Sequence, residues 1–435
     1  MSYWTNLFPY LIPHVYSIIK KSAKSDFINF FEEPKIPKKN QLTESNISEK
    51  ELSLDFSKGD GSFIDFSEVR GKYEDLTIYR IDVKFLKDKD QFFKYIKSNC
   101  QYVRHLELMF SIFEKTFLLK LLKLLPNLES IYFLAIFINM RTKIMTCDLP
   151  KFENLKKLSI EDGLEMFCVF ENVTSLKEIT CNDNGFIVPT SDSPLFKTIN
   201  QQKKLKILDI NCQNLGQMFH IEQPVNFQLD ELKMGIVPSF VFSRRILDFL
   251  KTQKNLKIVD IKFPKADDRK EYLNHVLFLD TLENFDLLIE ESDYEFLINL
   301  CILNNSMNFL KLSGIVDKSI LRKVELMFPK IFSLDLKLDC DDEGKVENLE
   351  QMNFADLKCL SIQIKRFQGE KVLSNCTSII SMIENLNLKN ISFLYVNIDA
   401  WCNNKLLKVL EKVFNQNSQL EHFGIKAHCC TMHQY

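Results

Sequence analysis

The sequence predicts an α/β solenoid, a horseshoe in which parallel strands form a concave inner sheet and helices or loops form the convex side. Three observations predict this fold. A short aliphatic pattern recurs along most of the chain, segments with helical period separate many of its copies, and the 435 residues far exceed one ordinary domain of about 100–150 residues. An array of stacked units accounts for all three, because each unit extends a common core.

The recurring pattern is an aliphatic residue, two variable residues, an aliphatic residue, one variable residue and a third aliphatic residue. Its last three positions alternate as a β-strand with one buried face requires. Fourteen copies follow one another at a mean spacing of about 27 residues, which lies within the range of solenoid units. They begin at Tyr73, Val103, Leu128, Leu155, Leu176, Leu205, Leu229, Leu256, Leu282, Met307, Ile331, Leu357, Ile391 and Leu420.

The stretches between the copies supply the connections. Neighbouring parallel strands need a crossover of a dozen or more residues, and six of the stretches place apolar residues at the spacing of an amphipathic helix. Pro126 and Pro329 follow two of them, where proline ends a helix. The predicted helices begin near Phe92, Thr116, Ser243, Tyr294, Lys318 and Leu406.

The variable residue between the last two aliphatic positions is predicted to face solvent on the concave side, and we call these residues the central row. From Asp209 to Asp335 all members are charged, four aspartates against two lysines. Either opposite charges neutralise each other laterally, or the excess carboxylates form an acidic stripe that binds a basic partner segment. The row is Thr77, Glu107, Tyr132, Ser159, Thr180, Asp209, Lys233, Asp260, Asp286, Lys311, Asp335, Ser361, Tyr395 and Gly424.

Apolar side chains beside the central row add a second kind of contact. Met109, Leu134, Leu288 and Phe309 are predicted on the same open face, where single exposed apolar residues are ordinary. Beside the two tyrosines of the row they could serve as anchors of the kind that dominates protein interfaces. The predicted partner-binding residues are Glu107, Tyr132, Asp209, Lys233, Asp260, Asp286, Lys311, Asp335 and Tyr395.

Over residues 73–428 the chain resembles the leucine-rich repeat family, in the longer, helix-containing form of ribonuclease-inhibitor-like and F-box/LRR proteins. The resemblance implies protein recognition. Resemblance to F-box/LRR proteins implies a substrate-recognition adaptor of an SCF-type ubiquitin ligase, with Skp1 and cullin components as further partners. The alternative is a stand-alone inhibitor or scaffold with no ligase role.

The chain departs from that family at the ninth repeat position, where the family usually has Asn or Cys bonded to the neighbouring loop backbones. Only Asn184 matches. We therefore expect uneven stacking, with some of the 37 phenylalanines filling core space. The other residues at this position are Ser111, Gly163, Gln213, Pro264 and Asp339.

The sequence divides into three parts. Residues 63–435 form the predicted repeat domain, and residues 32–62, rich in charge, Pro, Ser and Asn, are predicted to be a linker. Residues 1–31 have the apolar content of one or two short helices. They are interpreted either as a hydrophobic cap over the first strand's inner face or, by resemblance, as a degenerate F-box remnant.

Charge and cysteine usage narrow the function classes. Lys and Arg number 56 against 58 Asp and Glu, so the net charge of −2 gives no overall attraction for nucleic acid or acidic lipids. No stretch approaches the roughly 18 apolar residues of a membrane-spanning helix. The 12 cysteines form no CxxC pair, which favours reduced thiols. We expect a cytoplasmic or nuclear protein without a nucleic-acid or membrane partner.

Catalytic signatures are absent from the sequence, which contains no GxSxG, GxxxxGK[ST] or HExxH. The nearest candidate is His105 with Cys100, and an exposed strand histidine is far commoner than a thiolate-activating base. His428, Cys429 and Cys430 offer zinc-type ligands, but adjacent cysteines rarely close one tetrahedron. We therefore expect no enzyme, no metal and no cofactor.

One acidic loop matches a calcium-binding pattern. Residues 339–350 place acidic side chains at positions one, three, five and twelve and a glycine at six, as an EF-hand loop does. Asp339 follows a predicted strand, however, and neither flanking helix is evident. We interpret the loop as a solvated connection, with a calcium-responsive binding module as a third hypothesis.

Overall fold

The structure is a computed structural model. It describes residues 51–56, 73–86, 88–139, 149–183, 193–212, 221, 225–236, 240–262, 266–314, 316–339, 354–365, 386, 388–401, 409, 412–413 and 415–428, together with the backbone of a short strand, β1 (Ile19–Lys20). The chain forms two compact units. One is Lys38–Leu282, and the other combines Met1–Pro37 with Glu283–Tyr435. The predicted repeat domain, residues 63–435, is therefore divided between them.

In the described part of the unit Lys38–Leu282, nine strands pair in parallel in the order of the sequence. Each inward residue faces the equivalent residue of the next strand; Leu76, for example, pairs with Leu106 and Leu106 with Ile131. The strands are β2 (Glu51–Asp55), β3 (Asp75–Tyr79), β4 (His105–Met109), β6 (Ser130–Leu134), β8 (Lys157–Glu161), β9 (Glu178–Asp183), β10 (Ile207–Cys212), β11 (Glu231–Ile236) and β12 (Ile258–Lys262). A separate parallel pair joins β5 (Ile112–Glu114) to β7 (Phe137–Asn139).

Helices return the chain between these strands. The first begins after Asp88, whose carboxylate accepts a hydrogen bond from the Gln91 N–H at 2.8 Å, the usual way to satisfy a helix start. The helices of this unit are α1 (Lys89–Asn99), α2 (Lys115–Lys123), α3 (Pro194–Asn200), α4 (Phe240–Thr252) and α5 (Ala266–Leu277), with a 3-10 helix at Leu164–Val169.

The other unit repeats the same design. Its parallel strands are β13 (Asn284–Ile289), β14 (Phe309–Gly314), β15 (Ser333–Asp339), β16 (Cys359–Lys365), β17 (Phe393–Trp401) and β18 (His422–His428), and its helices include α6 (Glu291–Asn299) and α7 (Lys318–Met327). The short β1 pairs antiparallel with β18, Ile19 facing Phe423 and Lys20 facing His422. Residues near the chain's start therefore extend the sheet of its last strands.

The predicted α/β class and its long parallel sheet are confirmed, and the alternation of strands and helices is compatible with a solenoid. Three differences from the sequence analysis concern particular segments. The predicted linker, residues 32–62, contains β2, which pairs in register with β3. Ile19 and Lys20 pair with the last strand, whereas the predicted cap covered the first. Two helices, α3 and α5, were not predicted, because Pro194 begins one and charged residues dilute the period of the other.

A backbone ladder sets the spacing of the strands. The carbonyl oxygen of the residue before each strand accepts hydrogen bonds from two consecutive N–H groups of the next repeat. Lys177 O, for example, accepts from Lys206 N–H at 2.8 Å and from Ile207 N–H at 3.0 Å. The same arrangement recurs from Glu74 to Lys257 and from Glu283 to Glu421. Because backbone groups alone form it, it tolerates any side chain at the turn.

The core lies behind each sheet and is rich in phenylalanine, as the sequence predicts. Leu158 and Ile160 of β8 are buried, whereas Ser159 between them is partly exposed. Phe133 packs against the 3-10 region through Phe170, with ring centroids 6.0 Å apart. The largest fully buried side chains include Phe92, Phe113, Phe133, Phe167, Phe170, Phe196, Phe249 and Phe328.

Buried polar side chains bind the loop backbones that the ladder leaves unpaired. Gln202, fully buried, donates to the carbonyl oxygens of Val173 and Thr198, each at 2.6 Å, and accepts from the Leu176 N–H at 3.0 Å. Gln253 accepts from Leu229 N–H at 2.8 Å in the same way. These glutamines close helices, so they lie away from the ninth position at which the family pattern expects an amide.

The ninth position itself is described at only some repeats. Ser111 there is buried and fulfils the expected role, since its hydroxyl accepts from the Ile81 N–H at 3.1 Å and donates to the Met109 carbonyl at 2.7 Å. Asn184, Gln213 and Pro264 lie outside the described residues.

We predict that Gln202→Leu lowers the free energy of unfolding by about 1–3 kcal/mol, because it leaves a buried N–H and two buried carbonyl groups without their partner. Gln201→Leu is the matched control, since Gln201 is the adjacent residue and is exposed. Urea denaturation of both variants measures the difference. Equal stability of the two variants would show that the buried amide contributes nothing.

Candidate protein-recognition surface

The central row forms one hydrogen-bonded register in each unit. In Lys38–Leu282 it runs through Ser53, Thr77, Glu107, Tyr132, Ser159, Thr180, Asp209, Lys233 and Asp260. In the other unit it runs through Asp286, Lys311, Asp335, Ser361, Tyr395 and Gly424. The structure therefore brings the predicted site residues together as two rows, with adjacent members on neighbouring strands about 4.8 Å apart.

Carboxylates concentrate on strands β9 to β12. Asp209 on β10 and Asp260 on β12 belong to the central row. Glu178 on β9 and Glu231 on β11 each lie two residues before the central-row residue of their own strand, and on the same face. We call these four residues the acidic patch. The sequence analysis missed the two glutamates, although the period of two along a strand places them on the open face.

Two lysines partly neutralise the acidic patch. Lys233 Nζ lies 2.5 Å from Glu231 Oε1, and Lys157 Nζ lies 2.7 Å from Glu178 Oε2. Among the described residues, Glu178 and Glu231 of the acidic patch therefore each have a lysine partner. The lateral-neutralisation interpretation accounts for this part of the charge.

The pKa of Asp209 responds to burial and to the charges around it. Burial raises the pKa of its carboxyl, and the negative charges of Glu231, Asp260 and Glu178 raise it further, against the lowering effect of Lys233. A carboxylate held among like charges gains from a cationic partner.

The central row of the other unit is largely satisfied within itself. Lys311 Nζ donates to Asp286, and Gln363 Nε2 donates to both oxygens of Asp335 at 3.2 and 3.3 Å. Asp335 is only 6% exposed, because the longer side chains beside it cover the carboxylate. The sequence analysis placed Asp335 on an accessible surface, and the structure corrects this.

Apolar and aromatic side chains group on β3, β4 and β6. Tyr79, Met109 and Leu134 lie in one register row, and Phe110, 49% exposed, packs edge-on against Tyr79 with centroids 5.6 Å apart. With Tyr132 these residues form what we call the aromatic patch. The sequence analysis missed Tyr79 and Phe110.

Two features hold the aromatic patch in place. The backbone of Phe110 is left-handed, with φ of 50°, and its N–H donates to the Leu134 carbonyl oxygen of the next repeat. The residues that follow three neighbouring strands share this backbone conformation and this type of hydrogen bond. Tyr132 hydrogen-bonds Glu161, and burial, followed by the charges of Glu161 and Glu107, raises the pKa of the Tyr132 hydroxyl to about 12. The Tyr132 side chain is therefore neutral at physiological pH.

The remaining predicted residues have simple environments. Glu107 accepts a hydrogen bond from Thr77 at 3.5 Å. Leu288 is 42% exposed and Phe309 is partly exposed, both on the open face of the other unit. Burial raises the pKa of Tyr395, and the Asp335 charge adds to this effect.

The described residues do not support the metal-binding and catalytic candidates that the sequence offers. No group of three His, Cys, Asp or Glu among them could hold a metal ion. Residues 340–350 of the acidic loop and residues 429–435 of the tail lie outside the described part. Cys100 is fully buried, and burial raises its pKa to about 12, the opposite of what a nucleophilic thiolate needs.

No protein-family model matches the chain, and no curated protein matches it. Within the described ranges, no helix has both the length and the apolar character required to cross a membrane.

We predict that Asp335→Asn becomes stabilising relative to the wild type as pH rises. Burial raises the pKa of Asp335 above its ordinary value of 3.8, against hydrogen bonds from Ser361 and Gln363 and the charge of Lys311. The folded state thus holds this proton more tightly than the unfolded state. The resulting stability is complete below pH 3.8 and is lost as pH rises through the folded-state pKa.

Chemical denaturation of wild type and variant from about pH 4 to about pH 7 measures this effect. Asp356→Asn, at an exposed position of the same unit, is the control. A stability difference between wild type and Asp335→Asn that does not change with pH would contradict the prediction.

Proposed function

We propose that this chain is a leucine-rich repeat protein that binds a protein partner on the open face of its sheet and catalyses no reaction. The observation that carries the proposal is the central row of Lys38–Leu282, in which residues of successive strands lie in direct register. Repeat arrays commonly use such rows as extended binding surfaces. The mean repeat spacing of about 27 residues supports the family assignment.

The partner's chemistry follows from the two patches. The acidic patch favours Lys and Arg side chains, and the aromatic patch favours an apolar side chain. Five strand spacings separate Tyr132 from Asp260, about 24 Å, and three separate Tyr132 from Asp209, about 14 Å. At about 3.3 Å per residue, an extended segment would carry its apolar anchor roughly four to seven residues from its basic residues.

We predict that Asp209→Lys with Asp260→Lys weakens binding of such a segment by on the order of tenfold or more, because it replaces attraction by repulsion across the interface. The segment is first selected from a peptide array that varies the distance between one aromatic and two basic residues. Affinity is then measured at low and high salt, since attraction between exposed charges weakens with screening.

Asp248→Lys with Asp280→Lys is the matched control. Both aspartates are exposed and lie outside the central row, and the double variant changes the net charge by the same amount. Equal binding by the two double variants, or binding that salt does not weaken, would contradict an acidic recognition surface.

An adaptor role in a ubiquitin ligase is a further proposal and rests on the resemblance to F-box/LRR proteins. The proposed F-box remnant, residues 1–31, lies outside the described residues except for Ile19 and Lys20. Deleting residues 1–62 would remove β1 and β2 together with the proposed F-box remnant. A shorter deletion therefore tests the adaptor role more cleanly.

We predict that an adaptor copurifies with Skp1 and cullin components and loses them when residues 1–18 are deleted, while its binding of the partner segment persists. This deletion retains Ile19 and Lys20 of β1. A stand-alone scaffold would keep all of its partners. Copurification of the full chain without any ligase component would reject the adaptor role.

A further inference from the structure

A second charged row lies at the turns that precede the strands. Its members are the residues whose carbonyl oxygens form the backbone ladder, and we call it the turn row. Because the ladder fixes their spacing, charges on adjacent turns lie close together whatever the side chains are. In Lys38–Leu282 the row is Glu74, Arg104, Glu129, Lys156, Lys177, Lys206 and Asp230.

The signs in the turn row alternate except at one place. Lys156, Lys177 and Lys206 follow one another, and only the outer two have an ion pair among the described residues. Lys156 Nζ lies 2.6 Å from Glu129 and Lys206 Nζ lies 3.1 Å from Asp230. Lys177 therefore has a like charge on both adjacent turns, an arrangement that the alternating part of the row avoids and that is unfavourable between neighbouring strands.

A cleft of about 590 Å³ opens at this place. Lys203 and Lys204 join Lys177 and Lys206 in its lining, so four lysines surround one concavity, and Phe227 and Gln228 line it as well. Within the described part of the chain, Lys177, Lys203 and Lys204 form no ion pair. The volume lies in the range of small-ligand sites, about 300–1,000 Å³.

We propose that this cleft binds a small ligand that carries at least two phosphate groups. Lysine ammonium groups bind phosphate as point charges, and a polyanion would remove the repulsion among the four lysines.

The extent of the basic stretch favours a small ligand over a macromolecule. Glu129 and Asp230 bound it on either side, so the three turn-row lysines span only two strand spacings, about 10 Å. A nucleic-acid backbone or an acidic membrane surface would extend over the flanking carboxylates, and the chain's net charge of −2 gives no wider attraction. This proposal is independent of the open-face recognition site.

The test uses the full chain with inorganic pyrophosphate as probe, followed by thermal unfolding and titration calorimetry. We expect saturable binding that raises the melting temperature. Lys203→Gln with Lys204→Gln should weaken pyrophosphate binding at least about tenfold. Both lysines are exposed, so this double variant should fold as the wild type does.

Lys94→Gln with Lys97→Gln is the control, because it removes the same charge from exposed positions of α1. Equal pyrophosphate binding by the two double variants would overturn the proposal. So would a stabilisation that sodium chloride reproduces at equal ionic strength. Binding that requires phosphatidylserine vesicles or an oligonucleotide, with none to pyrophosphate, would overturn the small-ligand class.

Discussion

The paired hydrogen bonds at the turns are the constraint on which the rest of the structure depends. Each carbonyl oxygen before a strand accepts two N–H groups of the following repeat, as Lys177 does from Lys206 and Ile207. This contact fixes both the spacing and the register of the next strand, so inward residues meet inward residues except where the register shifts, as between Met234 and Ile236 of β11. The hydrophobic core then follows, since Leu158, Ile179 and Leu208 become neighbours in one buried row. Because only backbone atoms take part, the side chains of the turns are free to vary.

The register of the strands determines which side chains lie next to each other on the surface of the sheet. Residues that are about 27 positions apart along the chain lie about 4.8 Å apart across the sheet, so the charge of one repeat is felt by its neighbours. In the central row this produces a mutually satisfied set around Asp335 and an over-charged set around Asp209. A group that its neighbours already satisfy has little left to offer a partner. Burial raises the pKa of both Asp335 and Asp209, but three further carboxylates, Glu231, Asp260 and Glu178, also raise that of Asp209, so a cation stabilises its charged form. Lateral neutralisation therefore describes the row that contains Asp335, whereas the proposed partner binding concerns the row that contains Asp209.

The sequence predicted what repeats locally and missed what depends on distant contacts. The aliphatic triplets indicated the parallel strands and the direction of their side chains, because a period of two is written in the chain itself. Strand β2 was not predicted because a charged, Pro-containing segment surrounds it. The pairing of Ile19 with Phe423 was not predicted because it joins opposite ends of the sequence. Gln202 binds its loop backbone from just beyond a helix end, a position outside the recurring pattern from which the sequence analysis worked. The burial of Asp335 depends on the size of its neighbours across two further strands.

Opposite charges separate along the length of single strands. On β10, Asp209 lies on the open face and Lys206 at the preceding turn, three residues or about 10 Å apart. Salt screens exposed charges beyond about 8 Å at physiological ionic strength, so a ligand at one end of the strand is only weakly affected by the charge at the other. The net charge of −2 adds the acidic residues of the open face to the basic residues of the turns, so it describes neither surface. Composition therefore argues against partners that cover the whole molecule, such as a nucleic-acid duplex, but it does not argue against a compact anion bound by a local group of lysines.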